Sequence, residues 1–148
     1  MNEPMLKVSG LHAFYGRSHI LFDIDLEVGR GEVVALMGRN GAGKSTTMKA
    51  LMGLLPRRQG SVTFRGTDIS TLPPYRIARM GMGFVPEDRR VFSDLTVMEK
   101  LDAGRQPPRD GAPRWTPDKL FRLFPNLGEL PGRLGSPMSG GEQQMLKV

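Results

Sequence analysis

One stretch of the chain constrains its fold more than any other. Gly38-Arg39-Asn40-Gly41-Ala42-Gly43-Lys44-Ser45 matches G-x-x-x-x-G-K-[ST], the phosphate-loop pattern known as Walker A. Glycines at 38, 41 and 43 let the backbone turn tightly and bring its N–H groups close to a β-phosphate. Such a loop feeds the N-terminus of a helix, whose open N–H groups and dipole favour an anion. Lys44 then supplies a mobile positive charge for the β- and γ-phosphates, and Ser45 a hydroxyl for Mg²⁺. The pattern usually sits between an entering strand and a leaving helix, which points to an α/β fold.

The flanking residues agree. Val33-Val34-Ala35-Leu36-Met37 is the longest clear apolar run and reads as a strand buried on both faces. A helix is expected from Lys44 to Met52, with Gly53 near its end. Leu6-Lys7-Val8 and Ile24–Val28 alternate apolar and polar residues, as half-buried antiparallel strands do. Ser61–Arg65 and Met82–Val85 read as further strands and Pro74–Met80 as a short helix. Beyond Leu95 the character becomes helical. Thr96 is placed to cap one helix, and Gln106–Pro113 must be a loop. Thr116-Pro117-Asp118 starts another helix, with Leu120, Phe121 and Phe124 on one side and a stop at Pro125. These patterns divide the chain into an α/β part, residues 1–94, and a helical part, residues 95–148.

Composition narrows the chemistry. There is no cysteine, which excludes disulfides and thiolate metal sites and fits a reducing, cytosolic setting. No apolar run approaches the roughly 20 residues that span a bilayer, and Met1–Pro4 has no signal-peptide character. The net charge of +6 comes from 21 basic and 15 acidic residues. The basic pairs Arg57-Arg58 and Arg89-Arg90 and the Arg105–Arg114 stretch are scattered and lack interleaved aromatics, so no nucleic-acid partner is expected. His12 and His19 have no carboxylates at ligand spacing and read as ordinary surface or core residues.

A phosphate loop alone serves many NTPases; a second motif narrows the choice. Ser139-Gly140-Gly141-Glu142-Gln143 resembles the signature sequence of ABC-type ATPases, in which two subunits sandwich ATP and this motif meets the γ-phosphate bound on the partner. Tyr15, in His12-Ala13-Phe14-Tyr15-Gly16, sits where that family stacks an aromatic ring on adenine. Phe84-Val85-Pro86-Glu87 stands at its glutamine loop, with Glu87 in place of glutamine. The stretches Leu36–Thr47, Met52–Pro56, Val85–Phe92 and Ser139–Met145 look like the ATPase subunit of branched-chain amino-acid importers, where that glutamate is usual.

The resemblance implies a P-loop ABC ATPase core with an antiparallel β-subdomain and a helical subdomain, incomplete at the C-terminus. It places ATP contacts on Tyr15, on Gly38, Arg39, Asn40, Gly41, Ala42, Gly43, Lys44, Ser45 and Thr46, and on Ser139, Gly140, Gly141, Glu142 and Gln143. Mg²⁺ falls to Ser45 and Glu87, with Glu87 also near the attacking water. The implied partners are a second ATPase subunit, identical or not, and integral-membrane permease subunits at the inner face of the plasma membrane.

The family's later strand, ending in a Mg²⁺-holding aspartate and a water-polarising glutamate, has no counterpart in these 148 residues, nor does its later histidine loop. Little hydrolysis is therefore expected from this chain alone. Val33–Met37 should lack a neighbour and expose apolar surface, and a marginally stable product is expected. A binding-only module and a soluble ABC ATPase of translation or repair remain the alternatives.

Overall fold

The structure, a computed structural model, describes residues 3–87, 95–129, 131, 132 and 145. The chain falls into two compact units, Met1–Phe84 and Val85–Val148.

The first unit is built on a four-stranded antiparallel sheet. Strand β1 (Leu6–Tyr15) lies between β2 (Ser18–Val28) and β3 (Arg57–Phe64), and β4 (Thr67–Asp68) pairs with β3, giving the order β2-β1-β3-β4. Helices α1 (Lys44–Leu51) and α2 (Pro74–Arg79) complete the unit. The strands at β1 and β2 are longer than alternation suggested, because β1 changes phase midway. Its ladder with β2 slips between Val8 and Leu11, and its ladder with β3 slips between Ser9 and His12. A bulge adds one unpaired residue and moves the following side chains to the other face. Gly10 (φ 58) stands inside both slips, and its N–H donates to Asp25 Oδ1 at 2.7 Å. The shift lets Val8, Leu11 and Ala13 all face the core, which strict alternation would not allow. Leu21, Val62, Phe64, Ala50, Leu51, Ile69 and Ile77 close that core.

On the outward face His12 and His19 meet, His12 Nδ1 lying 3.0 Å from His19 Nε2. Phe14 stacks on His19 with centroids 4.3 Å apart, and Phe22 tilts against it at 3.9 Å. The two histidines are thus ring-packed surface residues, and the described residues contain no group of three or more metal-ligating side chains.

Two strand expectations fail. Val33–Met37 and Met82–Val85 have no strand structure, and the sheet of the described residues pairs entirely within β1–β4. A strand exists only where a neighbour supplies its ladder, and among the described residues none runs beside either segment. Met82 and Phe84 nevertheless pack on the core. Val33–Met37 does not: Val33 is 95% and Met37 87% exposed.

The second unit contains α3 (Val97–Ala103), α4 (Pro117–Leu123) and α5 (Pro125–Gly128). Val97 and Leu127 are buried together, with Leu101, Phe121, Phe124 and Met145 packed around them. Thr96 caps α3 in a full capping box: its hydroxyl accepts from Glu99 N at 3.3 Å, and Glu99 Oε2 accepts from Thr96 N at 2.7 Å. Thr116 caps α4 by accepting from Lys119 N. The Thr96 backbone N–H, and then its side chain, hold the Glu99 carboxyl below the ordinary carboxylate range. A carboxyl depressed by folding stabilises the fold above its unfolded pKa and loses that contribution as pH falls through its folded value. Glu99→Ala therefore lowers the melting temperature at neutral pH. The gap from the wild type should close in melts taken below the ordinary carboxylate range, and a gap that persists there would rule out the ionic cap.

Candidate functional site

The phosphate loop leads straight into α1. Gly43 is the N-cap residue, in the left-handed conformation (φ 95), and no side chain caps the helix. The first turn of a helix presents N–H groups without intrahelical acceptors, the end that suits an anion. Gly43 is needed there for two reasons. Its φ disfavours any residue with a Cβ, and a Cβ at this position would stand 2.7 Å from Leu21 Cδ2. The loop thus rests on β2 through the glycine's missing side chain.

Lys44 closes the loop from the helix side. Its Nζ donates to the carbonyl oxygens of Gly38 at 2.7 Å and Arg39 at 2.9 Å. A backbone bond from Ala42 N to Arg39 O, 3.1 Å, tightens the turn. Thr47, buried one turn into α1, hydrogen-bonds Gly43 O with both its N–H (2.8 Å) and its hydroxyl (2.9 Å). The result is a concave backbone loop with an ammonium held across it, the donor set a polyphosphate needs. Triphosphate therefore fits the residues present. Mg²⁺ takes hard oxygen ligands and shares them with phosphate oxygens, so a hydroxyl such as that of Ser45, which opens α1, is of the right kind.

The other expected site residues are placed less closely. Tyr15 ends β1 opposite Ser18 and is 44% exposed, so its ring is not absorbed into the core. Ala13, two residues earlier, pairs with Leu21, the residue under Gly43; Tyr15 thus lies about 7 Å further along the strand. Arg39, Asn40, Gly41 and Ala42 form the exposed rim of the loop, and Thr46 follows Ser45 within α1. Glu87 is exposed and belongs to the second unit. Ser139, Gly140, Gly141, Glu142 and Gln143 lie outside the described residues.

The fold also places two residues that no motif announces. Leu21 lies before the expected Ile24–Val28 strand, and only the fold puts it in β2 beneath Gly43. Arg58 was grouped with Arg57 as a surface pair. The strand separates them, and no local signal in Arg-Arg announces which of the two turns inward.

Comparison with known proteins agrees with this geometry. A family described as ABC transporter matches residues 21–148. The chain is 41% identical over 144 residues to the high-affinity branched-chain amino acid transport ATP-binding protein BraG of Pseudomonas aeruginosa, covering 97% of this chain and 62% of that protein. It is 35% identical over 147 residues to the lipopolysaccharide export system ATP-binding protein LptB of Haemophilus influenzae, covering 97% of this chain and 61% of that protein. Among solved structures, an ATP-binding subunit of an ABC transporter superposes with a TM-score of 0.76 at 28% identity, over 97% of this chain and 59% of that one. The chain therefore spans about three fifths of the length of these relatives.

Proposed function

The chain belongs to the ABC transporter family, and from that membership we propose that it is the ATP-binding subunit of an importer for branched-chain or related amino acids. The observation that carries the ATP reading is the loop itself: an uncapped α1, Gly43 set against Leu21, and the Lys44 ammonium held over the Gly38 and Arg39 carbonyls. On this reading Lys44 and the backbone N–H groups of the loop hold the β- and γ-phosphates, and Tyr15 stacks on adenine. Ser45 would hold Mg²⁺, which would screen the phosphate charge. Ser139–Gln143 would close over a nucleotide bound by a second subunit. The complex would sit on permease subunits at the inner face of the plasma membrane. Hydrolysis would take place at the interface of the ATPase pair.

The amino-acid substrate rests on the higher identity to the branched-chain amino-acid relative. The 35% identity to a lipopolysaccharide-export relative supports a second reading, a subunit that powers lipid export. Co-purification with its membrane partners, followed by reconstitution in proteoliposomes, separates the two. Leucine, isoleucine or valine uptake that depends on ATP is the expected result. Turnover stimulated by lipopolysaccharide and indifferent to amino acids would transfer the assignment to the second reading. No helix among the described residues is long and apolar enough to cross a membrane.

A further inference from the structure

Strand β3 opens with Arg57 and Arg58, and alternation along a strand sends neighbours to opposite faces. Arg57 lies over the Phe14 ring, 4.3 Å from its centroid. Arg58 turns the other way and is half-buried. Its Nη1 donates to the carbonyl oxygen of Ala50 and, at 3.4 Å, to that of Leu51. Its Nη2 donates to the carbonyls of Ile69 at 2.7 Å and Leu72 at 3.4 Å. One guanidinium thus gathers four carbonyls from two segments: the end of α1, and the stretch between β4 and α2. Burial pushes the Arg58 pKa down, with the Asp68 charge acting against it.

Ala50 and Leu51 form the last turn of α1, where carbonyls run out of intrahelical donors. The turn closes by Gly53 N to Ala50 O, 3.1 Å, and Leu54 N to Lys49 O, 2.9 Å, the double bond of a Schellman ending. Arg58 adds a cation at this negative pole of the helix. The fit is close, since a Cβ on Gly53 would meet Leu72 O at 2.9 Å. The opposite end of the same eight-residue helix, about 12 Å away, is the phosphate loop.

We infer that Arg58 is a positioning residue of the nucleotide site, clamping the far end of α1 to β3 and the β4–α2 segment so that the loop keeps its aim on the phosphates. The inference rests on the reading of that loop as a triphosphate site. A helix of two turns has little rigidity to spare. Fraying of its last turn is felt at its first, and loss of the cation also strengthens the negative pole against a bound polyanion. Both effects weaken phosphate binding without touching the base.

The test compares ATP with inorganic tripolyphosphate, each with Mg²⁺, by isothermal titration of the whole chain at a temperature where circular dichroism shows each protein folded. Arg58→Met removes the fork and the charge but keeps an apolar stem, whereas Arg58→Lys keeps a cation with fewer donors. Arg58→Met should weaken both ligands equally, on the order of tenfold, and Arg58→Lys should recover part of the loss. A residue that only stabilised the fold would lower the melting temperature and leave both affinities of the folded protein unchanged, and that result overturns the inference. So does a loss confined to ATP, which would place the effect at the base. Should Arg58→Met fail to fold, Arg58→Lys decides alone: weaker binding of both ligands supports the clamp, and unchanged affinity removes it. A wild-type chain that binds neither ligand removes the nucleotide reading, and the clamp falls with it.

Discussion

Lys44→Ala should weaken triphosphate binding severely while leaving the melting curve nearly unchanged. The ammonium of Lys44 is held over the loop by two carbonyls, those of Gly38 and Arg39, so its charge is already in place before a ligand arrives. Truncating one member of a close, hydrogen-bonded charge pair costs about 3 kcal/mol, which is on the order of a hundredfold in affinity. The unliganded fold loses only two hydrogen bonds from a loop whose residues 38–42 are exposed, so its stability barely changes. Lys44→Arg should not restore binding, because a planar fork on a longer stem does not replace a compact point charge between two carbonyls. Fluorescence titration with a labelled ATP analogue, set beside thermal melts, measures both quantities. Retention of wild-type affinity in Lys44→Ala would end the assignment of this loop to phosphate.

Gly60→Ala is expected to prevent folding rather than impair function. A Cβ at Gly60 would stand 2.3 Å from the carbonyl oxygen of Gly10, 2.7 Å from its carbonyl carbon and 2.9 Å from Leu11 Cα, and the residue sits at φ +103. All three neighbours are backbone atoms of the central strand, so no flexible side chain can yield. The clash falls at the bulge that turns Leu11 and Ala13 into the core and carries the strand on to Tyr15. A loss of about 4 kcal/mol or more removes most of the stability of a domain at the low end of the usual range, about 5 kcal/mol. Gly16→Ala is the internal control. It also has positive φ (+56), but nothing lies within 4 Å of its added Cβ, so only the backbone term of roughly 1–2 kcal/mol applies. A soluble, cooperatively melting Gly60→Ala protein would show that β1 and β3 are not pinched together there.

What the residues announce in advance follows how local each feature is. The phosphate loop and α1 are legible because glycine, lysine and a helix start act within a few neighbours; the helix was expected over 44–52 and is found over Lys44–Leu51. The caps of α3 and α4 are equally local, Thr96 with Glu99 and Thr116 with Lys119. Strand status is not local. Val33–Met37 has the composition of a buried strand, yet a strand is defined by a neighbour, and none of β1–β4 pairs with it. The bulge at Gly10 was hidden for the same reason, because it becomes visible only when two ladders slip at one place. In the candidate site, Lys44 and Gly43 could be read directly. Leu21 and Arg58 act through contacts with residues far away in sequence, so only the folded chain reveals them.

The exposed, unladdered run Val33–Met37 also bears on how the loop responds to its surroundings. The loop is tethered unequally, its trailing end fused to a packed helix and its leading end to residues that no backbone ladder fixes. Ordering a residue costs roughly 1–2 kcal/mol of conformational entropy, and a ligand that immobilises the leading end bears that cost in its own affinity. Any strand that docks beside residues 33–37 removes the cost beforehand. By thermodynamic linkage, nucleotide must then strengthen that docking by the same factor, although the two events share no contact. Strand pairing beside the loop and occupancy within it are in that sense one equilibrium read from two ends.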